Sequence, residues 1–208
     1  LFVREPLGPS RRVRVRWDRE GASTLTRVLG PGLTSSARLV QFTTLALVVA
    51  LAAASVALLA DQPRAPIDQA RVLFLGAAGG AFLLFMSGLG HALRARGAAV
   101  WTTRILVVAV TLAASTVPWV VAALARASAG GDRDLLTLAA PSPFYAFYMF
   151  DQVSMSHAPG WSAIGAGLGA DVVWGALGVA LTVYAARRAA ATRRQGEEAE
   201  EAGAPAEP

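Results

Sequence analysis

The sequence predicts an all-α polytopic membrane protein with four transmembrane helices. A short cytosolic coupling-type helix precedes them, and an outer re-entrant or interfacial segment precedes the last span. Two observations set the class. Apolar residues fill 54% of the 208 positions and charged residues only 16%, where a soluble domain carries about a quarter charged. The missing charge leaves four gaps: 39–60 has no ionisable residue, 72–93 only His91, 105–125 none, and 161–186 only Asp171. Each gap reaches the roughly 20 residues that a helix needs to cross a hydrocarbon core of about 30 Å. None shows the polar face that a helix of a soluble bundle keeps toward water.

A third observation orients the spans. Residues 1–38 hold Arg4, Arg11, Arg12, Arg14, Arg16, Arg19, Arg27 and Arg38 against Glu5, Asp18 and Glu20. Basic groups recur at Arg94, Arg96 and Arg104, and again at Arg187, Arg188, Arg193 and Arg194. The other two connections are balanced, with Asp61 and Asp68 against Arg64 and Arg71, and Asp132, Asp134 and Asp151 against Arg126 and Arg133. Positive charge beside span ends stays cytoplasmic. Both termini and the 94–104 loop are therefore expected inside, both balanced loops outside, and the chain in a bacterial plasma (inner) membrane. The expected organisation is a cytosolic basic segment over 1–37 and a four-helix transmembrane domain over 38–190. Its spans fall at about 38–60, 72–93, 101–125 and 161–186, and an acidic tail over 191–208 is expected to be disordered.

Taken in order, RRVRVRW at 11–17 alternates arginine and valine, which suits a short strand or a basic strip on anionic headgroups. Nothing in it requires nucleic acid. Asp18 or Ser23 then caps a short helix reaching about Leu29, and Gly30, Pro31 and Gly32 end it as a hinge. Thr34 or Ser35 caps the first span. The second span carries Gly76 and Gly80 four apart, with Gly79, Ser87 and Gly90 as further small positions that allow close helix approach. His91 at its end reads as a hydrogen bonder. The third span contains Pro118, which removes a backbone donor and predicts a kink, with Thr111, Ser115 and Thr116 able to serve freed carbonyls.

The outer connection centres on Pro143, Phe144, Tyr145, Phe147, Tyr148 and Phe150, too short to span and too aromatic for water. It reads as a re-entrant or interfacial segment. In the last span, Asp171 stands ten residues after Trp161, about 15 Å along the helix. An uncompensated acid at that depth is costly, so it should face protein or a wet cavity, as a polar spot on a pathway or as a hydrogen-bonded interface group. Gly167, Gly175 and Gly178 lie near the same face.

Chemistry of other kinds has little foothold. The chain has no cysteine, and all of its 19 basic residues are arginine. There is no GxxxxGK[ST] loop, no GxSxG and no HExxH, and His91 and His157 are expected on opposite faces. No catalytic residue, cofactor or metal is assigned, and an enzyme is not expected.

The run DREGASTLTRVLGPGLTSSARLVQ resembles the coupling segment of the membrane subunit of ABC-2 type transporters, through Arg19, Glu20, Gly21, Ser23, Thr24 and Leu25 beside Asp18. Ala22 and Ser23 separate the glycine from the Thr-Leu pair, which loosens the match. MSGLGHALRARGAAVWTTRILVV and SPFYAFYMFD are similar to later parts of such permeases, in the same order. The resemblance spans roughly 18–190 and corresponds to the C-terminal four-helix portion of a six-helix subunit. It implies an ATP-driven permease, exporting as is usual in that family, moved by a separate soluble ATPase that does the hydrolysis. A second permease copy or homologous half completes the pathway, membrane lipid surrounds it, and no nucleic acid takes part. Four spans rather than six imply a fragment, an alternative start, or a split permease whose other chain supplies the missing helices. A non-transporting membrane anchor or assembly subunit would need the same helices, packing faces and basic rim.

Overall fold

The computed structural model describes residues 11–23, 33–59, 65–130, 133–154 and 160–203. Helix α1 (Arg11–Arg19) comes first, followed by α2 (Leu33–Leu59), α3 (Ala65–Ala95) and α4 (Val100–Ser128). A 3₁₀ helix (Arg133–Ala139), α5 (Tyr145–Ser154) and the long α6 (Trp161–Gly203) complete the chain. The described residues are all-α, without strands, and α2, α3, α4 and α6 are each long and apolar enough to cross a membrane. This is a polytopic helical-bundle membrane fold.

Helix α3 is the hub. Gln41, Val48 and Ser55 of α2 meet Ser87, Gly76 with Gly80, and Gln69 of α3 respectively, so the two helices run antiparallel. Ala81, Gly88 and Ala95 of α3 meet Gly175, Gly178 and Arg188 of α6, so these two run parallel. Thr111 of α4 reaches Met86 of α3 at 3.2 Å. One end of the bundle thus gathers the start of α2, the turn after α3 and the arginines of α6. The opposite end carries the end of α2 at Leu59 and the starts of α3 at Ala65 and of α6 at Trp161.

In hydrocarbon, apolar side chains gain nothing by leaving lipid for protein, so close packing and interhelical hydrogen bonds must hold helices together. The outward faces of α2 and α4 are accordingly apolar and exposed, as at Phe42, Leu47, Ile105 and Leu112. The contacts are made by small and polar residues. A Cβ on Gly88 would collide with the Gly178 carbonyl, and one on Gly178 would lie 2.6 Å from the Leu84 oxygen and the Phe85 nitrogen, so the two backbones touch. Beside that crossing, Gln41 Nε2 donates to Thr182 Oγ1 at 2.6 Å and to Ser87 Oγ at 3.5 Å, joining three helices. Such bonds contribute about 0.6 kcal/mol each on average within membranes.

The N-terminal expectation needs correction. RRVRVRW is helical, not a strand: arginine favours helix, and Val13 and Trp17 at i, i+4 share a partly buried side. The helix also ends where the sequence suggested one begins. Gly21 takes φ +63° and the Ala22 N–H donates to the Trp17 carbonyl at 2.8 Å, a glycine-terminated Schellman stop. Asp18 and Arg19 occupy the last turn of α1, so Asp18 ends a helix instead of starting one, and the stretch that Ser23 would cap lies outside the described residues. Thr24 through Leu29 and the Gly30-Pro31-Gly32 hinge lie outside the described residues. Thr34 and Ser35 sit within the first turn of α2 rather than at its cap. At the other terminus, α6 continues to Gly203 where disorder was expected, because ATRRQGEEAEEA is rich in alanine, glutamate and arginine, all good helix formers.

The glycine crossing yields a graded prediction. Gly178→Val should lower the detergent-solubilised protein's stability at the upper end of ~1–3 kcal/mol, or prevent assembly, because backbone cannot yield. Gly165→Ala, where a Cβ meets nothing within 4 Å, should leave it unchanged. Thermal unfolding followed by circular dichroism distinguishes the two.

Candidate functional site at the re-entrant turn

The connection between α4 and α6 starts and ends at the same side of the bundle, yet its turn reaches the middle. Ser142 Oγ donates to the Ser115 carbonyl at 3.0 Å, and the Trp174 Nε1–H donates to the Pro141 carbonyl at 2.8 Å. Ser115 is 13 positions from the Ser128 end of α4, and Trp174 is 13 positions from the Trp161 start of α6, each about 20 Å along its helix. The segment is therefore re-entrant rather than surface-lying.

Backbone without helical bonds survives at that depth only if protein satisfies it. Ser142, 3% exposed, is the centre of that satisfaction. Its hydroxyl also accepts from Trp119 Nε1 at 3.1 Å and from the Phe144 N–H at 3.3 Å, and its carbonyl accepts from the Tyr145 N–H at 3.0 Å. Ser115 thus acts through its carbonyl, one residue beyond the Ala114 carbonyl that Pro118 leaves without its usual donor. Thr111 and Thr116 donate to Val107 and Leu112, the carbonyls four residues before each. Helix α4 continues through Pro118 to Ser128.

Helix α5 splits its aromatic residues by periodicity. Tyr145, Ala146 and Met149 face the bundle at 1% exposure each, and Tyr148 packs partly buried against them. Phe144, Phe147 and Phe150 form an outer ladder, with Phe144 and Phe147 stacked at 6.4 Å and Phe147 edge-on to Phe150 at 5.8 Å. Pro143 lies in the turn just before α5.

Asp171 faces this turn. Gly167, one helical turn earlier, is covered by Met149 and Tyr145, and Trp174, one turn later, reaches Pro141. Asp171 shares their face, and its Oδ2 is buried without a hydrogen-bond partner among the described residues. The Tyr145 hydroxyl is likewise buried and unpartnered. A buried acceptor and a buried donor thus stand on one interface without bonding to each other. On the far side, Trp174 packs at 4.5 Å from Phe85 and edge-on at 5.6 Å to Phe82, closing the face with aromatic rings. The arrangement offers hydrogen bonds to a polar group that enters it.

The remaining predicted residues are dispersed. Glu20 accepts from Arg16 Nε at 2.8 Å in an exposed i, i+4 pair, far in sequence from the turn just described. Asp18, Arg19, Gly21 and Ser23 belong to the end of α1, while Thr24, Leu25, Gly30, Pro31 and Gly32 are not among the described residues. His91 is 3% exposed, and its Nδ1–H donates to the Ser87 carbonyl at 2.9 Å. The sequence reading passed over Ser142, Trp119, Gln41 and Gly88. Only Gln41, a lone amide in an apolar run, carried a visible signal. Comparison with protein-family models, with curated proteins and with solved structures returns no match.

Ser142→Ala removes one donor and leaves Trp119 Nε1 and the Ser115 carbonyl without their partner. It should cost about 1–3 kcal/mol and loosen the turn. Hydrogen–deuterium exchange over 139–150 should rise in the variant while exchange in α3 stays unchanged.

Proposed function

We propose that this chain is the permease subunit of an ATP-driven transporter of the ABC-2 type, forming part of a translocation pathway along the α5–α6 interface. The observation that supports this reading most is the re-entrant turn held at mid-depth against a buried acid. Irregular backbone at such depth belongs where it lines a cavity or is enclosed by protein, and intramembrane acids mark pathways by default. A pure anchor needs neither.

In this reading a soluble ATPase carries out hydrolysis and no covalent step falls to this chain. Closure of the ATPase pair presses on the stretch from Asp18 through Leu25, which begins in the last turn of α1 and runs beyond it. A second permease copy, or a chain supplying further spans, faces the α5–α6 side. The arginine end and both termini are cytoplasmic, in a bacterial plasma membrane, and transport runs outward. The chain's own contribution is a bistable packing, with the turn docked on α6 in one state and withdrawn in the other.

Two variants test the reading in liposomes containing the permease and its ATPase. Glu20→Ala should abolish stimulation of ATP hydrolysis by the membrane part while leaving insertion and bundle stability intact, since an exposed ion pair contributes little to stability. Unchanged stimulation removes the coupling role. Asp171→Asn should lower transport severalfold with the yield of assembled protein unchanged. Matching losses of transport and of assembled protein would instead make Asp171 an interface group and favour the anchor reading.

A further inference from the structure

The arginine end holds a feature that neither packing nor transport accounts for. Arg96, in the turn after α3, donates its Nε–H to the Tyr184 hydroxyl at 3.1 Å, with its guanidinium 5.3 Å from the ring centroid. Arg188 donates an Nη1–H to the same oxygen at 3.3 Å and its Nε–H to the Ala95 carbonyl at 3.0 Å. Two guanidiniums thus converge on one uncharged oxygen. Neither is paired with a carboxylate among the described residues. Arg94, the neighbouring cation, is turned to the Ala98 carbonyl. Like charges gathered this closely repel unless an anion sits between them. Both side chains are exposed, and Arg96 uses only its Nε–H, leaving its terminal fork open.

We propose that Arg96 and Arg188, aligned by Tyr184, bind the phosphate of an anionic phospholipid headgroup. Guanidinium forks match phosphate oxygens in pairs, which an ammonium cannot do. The site also lies at the level a headgroup occupies. Trp101, at the same end, is 71% exposed with the Arg104 guanidinium 5.5 Å from its ring, the placement of an interfacial tryptophan. Toward the bundle middle, α6 exposes Leu177 two turns before Tyr184 on the same face, with half-buried Leu181 between them, an apolar strip along which an acyl chain lies while its phosphate is held. Free phosphate would have no use for that strip. The site is independent of the transport reading.

Native mass spectrometry of the purified full chain, with dioleoyl phosphatidylglycerol or dioleoyl phosphatidylcholine added in detergent, tests the assignment. Phosphatidylglycerol should be retained in preference to phosphatidylcholine. Arg96→Gln should lower that retention about fivefold. This variant preserves the fold, because the Arg96 side chain sits in an exposed turn and bonds only Tyr184; circular dichroism checks it. Arg188→Lys should lower retention as well, since charge remains but the fork is lost. Arg187→Gln, also exposed and on the next position of α6, should leave retention unchanged. Equal retention of the two lipids, or an equal loss in Arg187→Gln, overturns the site. Complete displacement of phosphatidylglycerol by millimolar inorganic phosphate overturns the lipid assignment in favour of a free anion.

Discussion

Contact between the α3 and α6 backbones at Gly88 and Gly178 is the constraint on which the bundle depends. No side chain separates the two helices there, and a Cβ on either glycine would meet main-chain atoms. Lipid gives apolar helices no reason to associate, so dispersion between closely approaching backbones supplies the adhesion, with interhelical hydrogen bonds beside it. Gln41, Ser87 and Thr182 lie next to the crossing and bring α2 into register with the same pair. Without the glycine contact, the aromatic cluster of Phe82, Phe85 and Trp174 and the Arg188 bond to Ala95 would lose their partners together.

The crossing also explains why the chain re-enters. Helices α3 and α6 run parallel, so α4 must carry the chain back along the bundle before α6 can start. The connection from Ser128 to Trp161 then begins and ends on one side. Its turn fills the space between α4 and the α3–α6 pair, and α4 itself touches α3 only sparsely. In that position water cannot satisfy the turn's carbonyls. Ser142, Trp119 and Trp174 do so instead, which gives two tryptophans and a serine in an alanine-rich chain a structural purpose. The split of α5, with Tyr145 and Met149 inward and the phenylalanine ladder outward, follows from one helix meeting protein on one side and hydrocarbon on the other.

Much of this fold was legible in the sequence because hydrocarbon imposes a simple rule. Runs without charge mark the spans, and arginine clusters place span ends together, as the bonds joining Arg96 and Arg188 to Tyr184 and Ala95 show. The aromatic run at 144–150 announced a segment that neither spans nor dissolves, but its depth was not legible, since depth depends on Ser142 finding Ser115. Spacing drew attention to Gly76 and Gly80, which accept Val48 of α2, whereas the tightest contact uses Gly88, a single glycine indistinguishable by pattern from Gly90. Asp18 as a helix start was misread for a local reason. An acid followed by glycine serves equally as a helix start or as a Schellman stop, and only the φ of Gly21 decides between them.

Helix α6 meets each of the other main packing elements along a single rod. Gly167, Asp171 and Trp174 meet the re-entrant turn, Gly178 meets α3, Thr182 meets α2, and Tyr184 and Arg188 hold the arginine end. From Gly167 to Arg188 the rod is about 30 Å long and has no proline at which to bend. The glycine crossing leaves it little freedom to separate from α3, and the bonds of Trp174 to Pro141, Thr182 to Gln41 and Arg188 to Ala95 fix its rotation and height as well. The re-entrant turn and the arginine end are therefore positioned by the same rod, each held in place by side chains that the glycine crossing brings within reach.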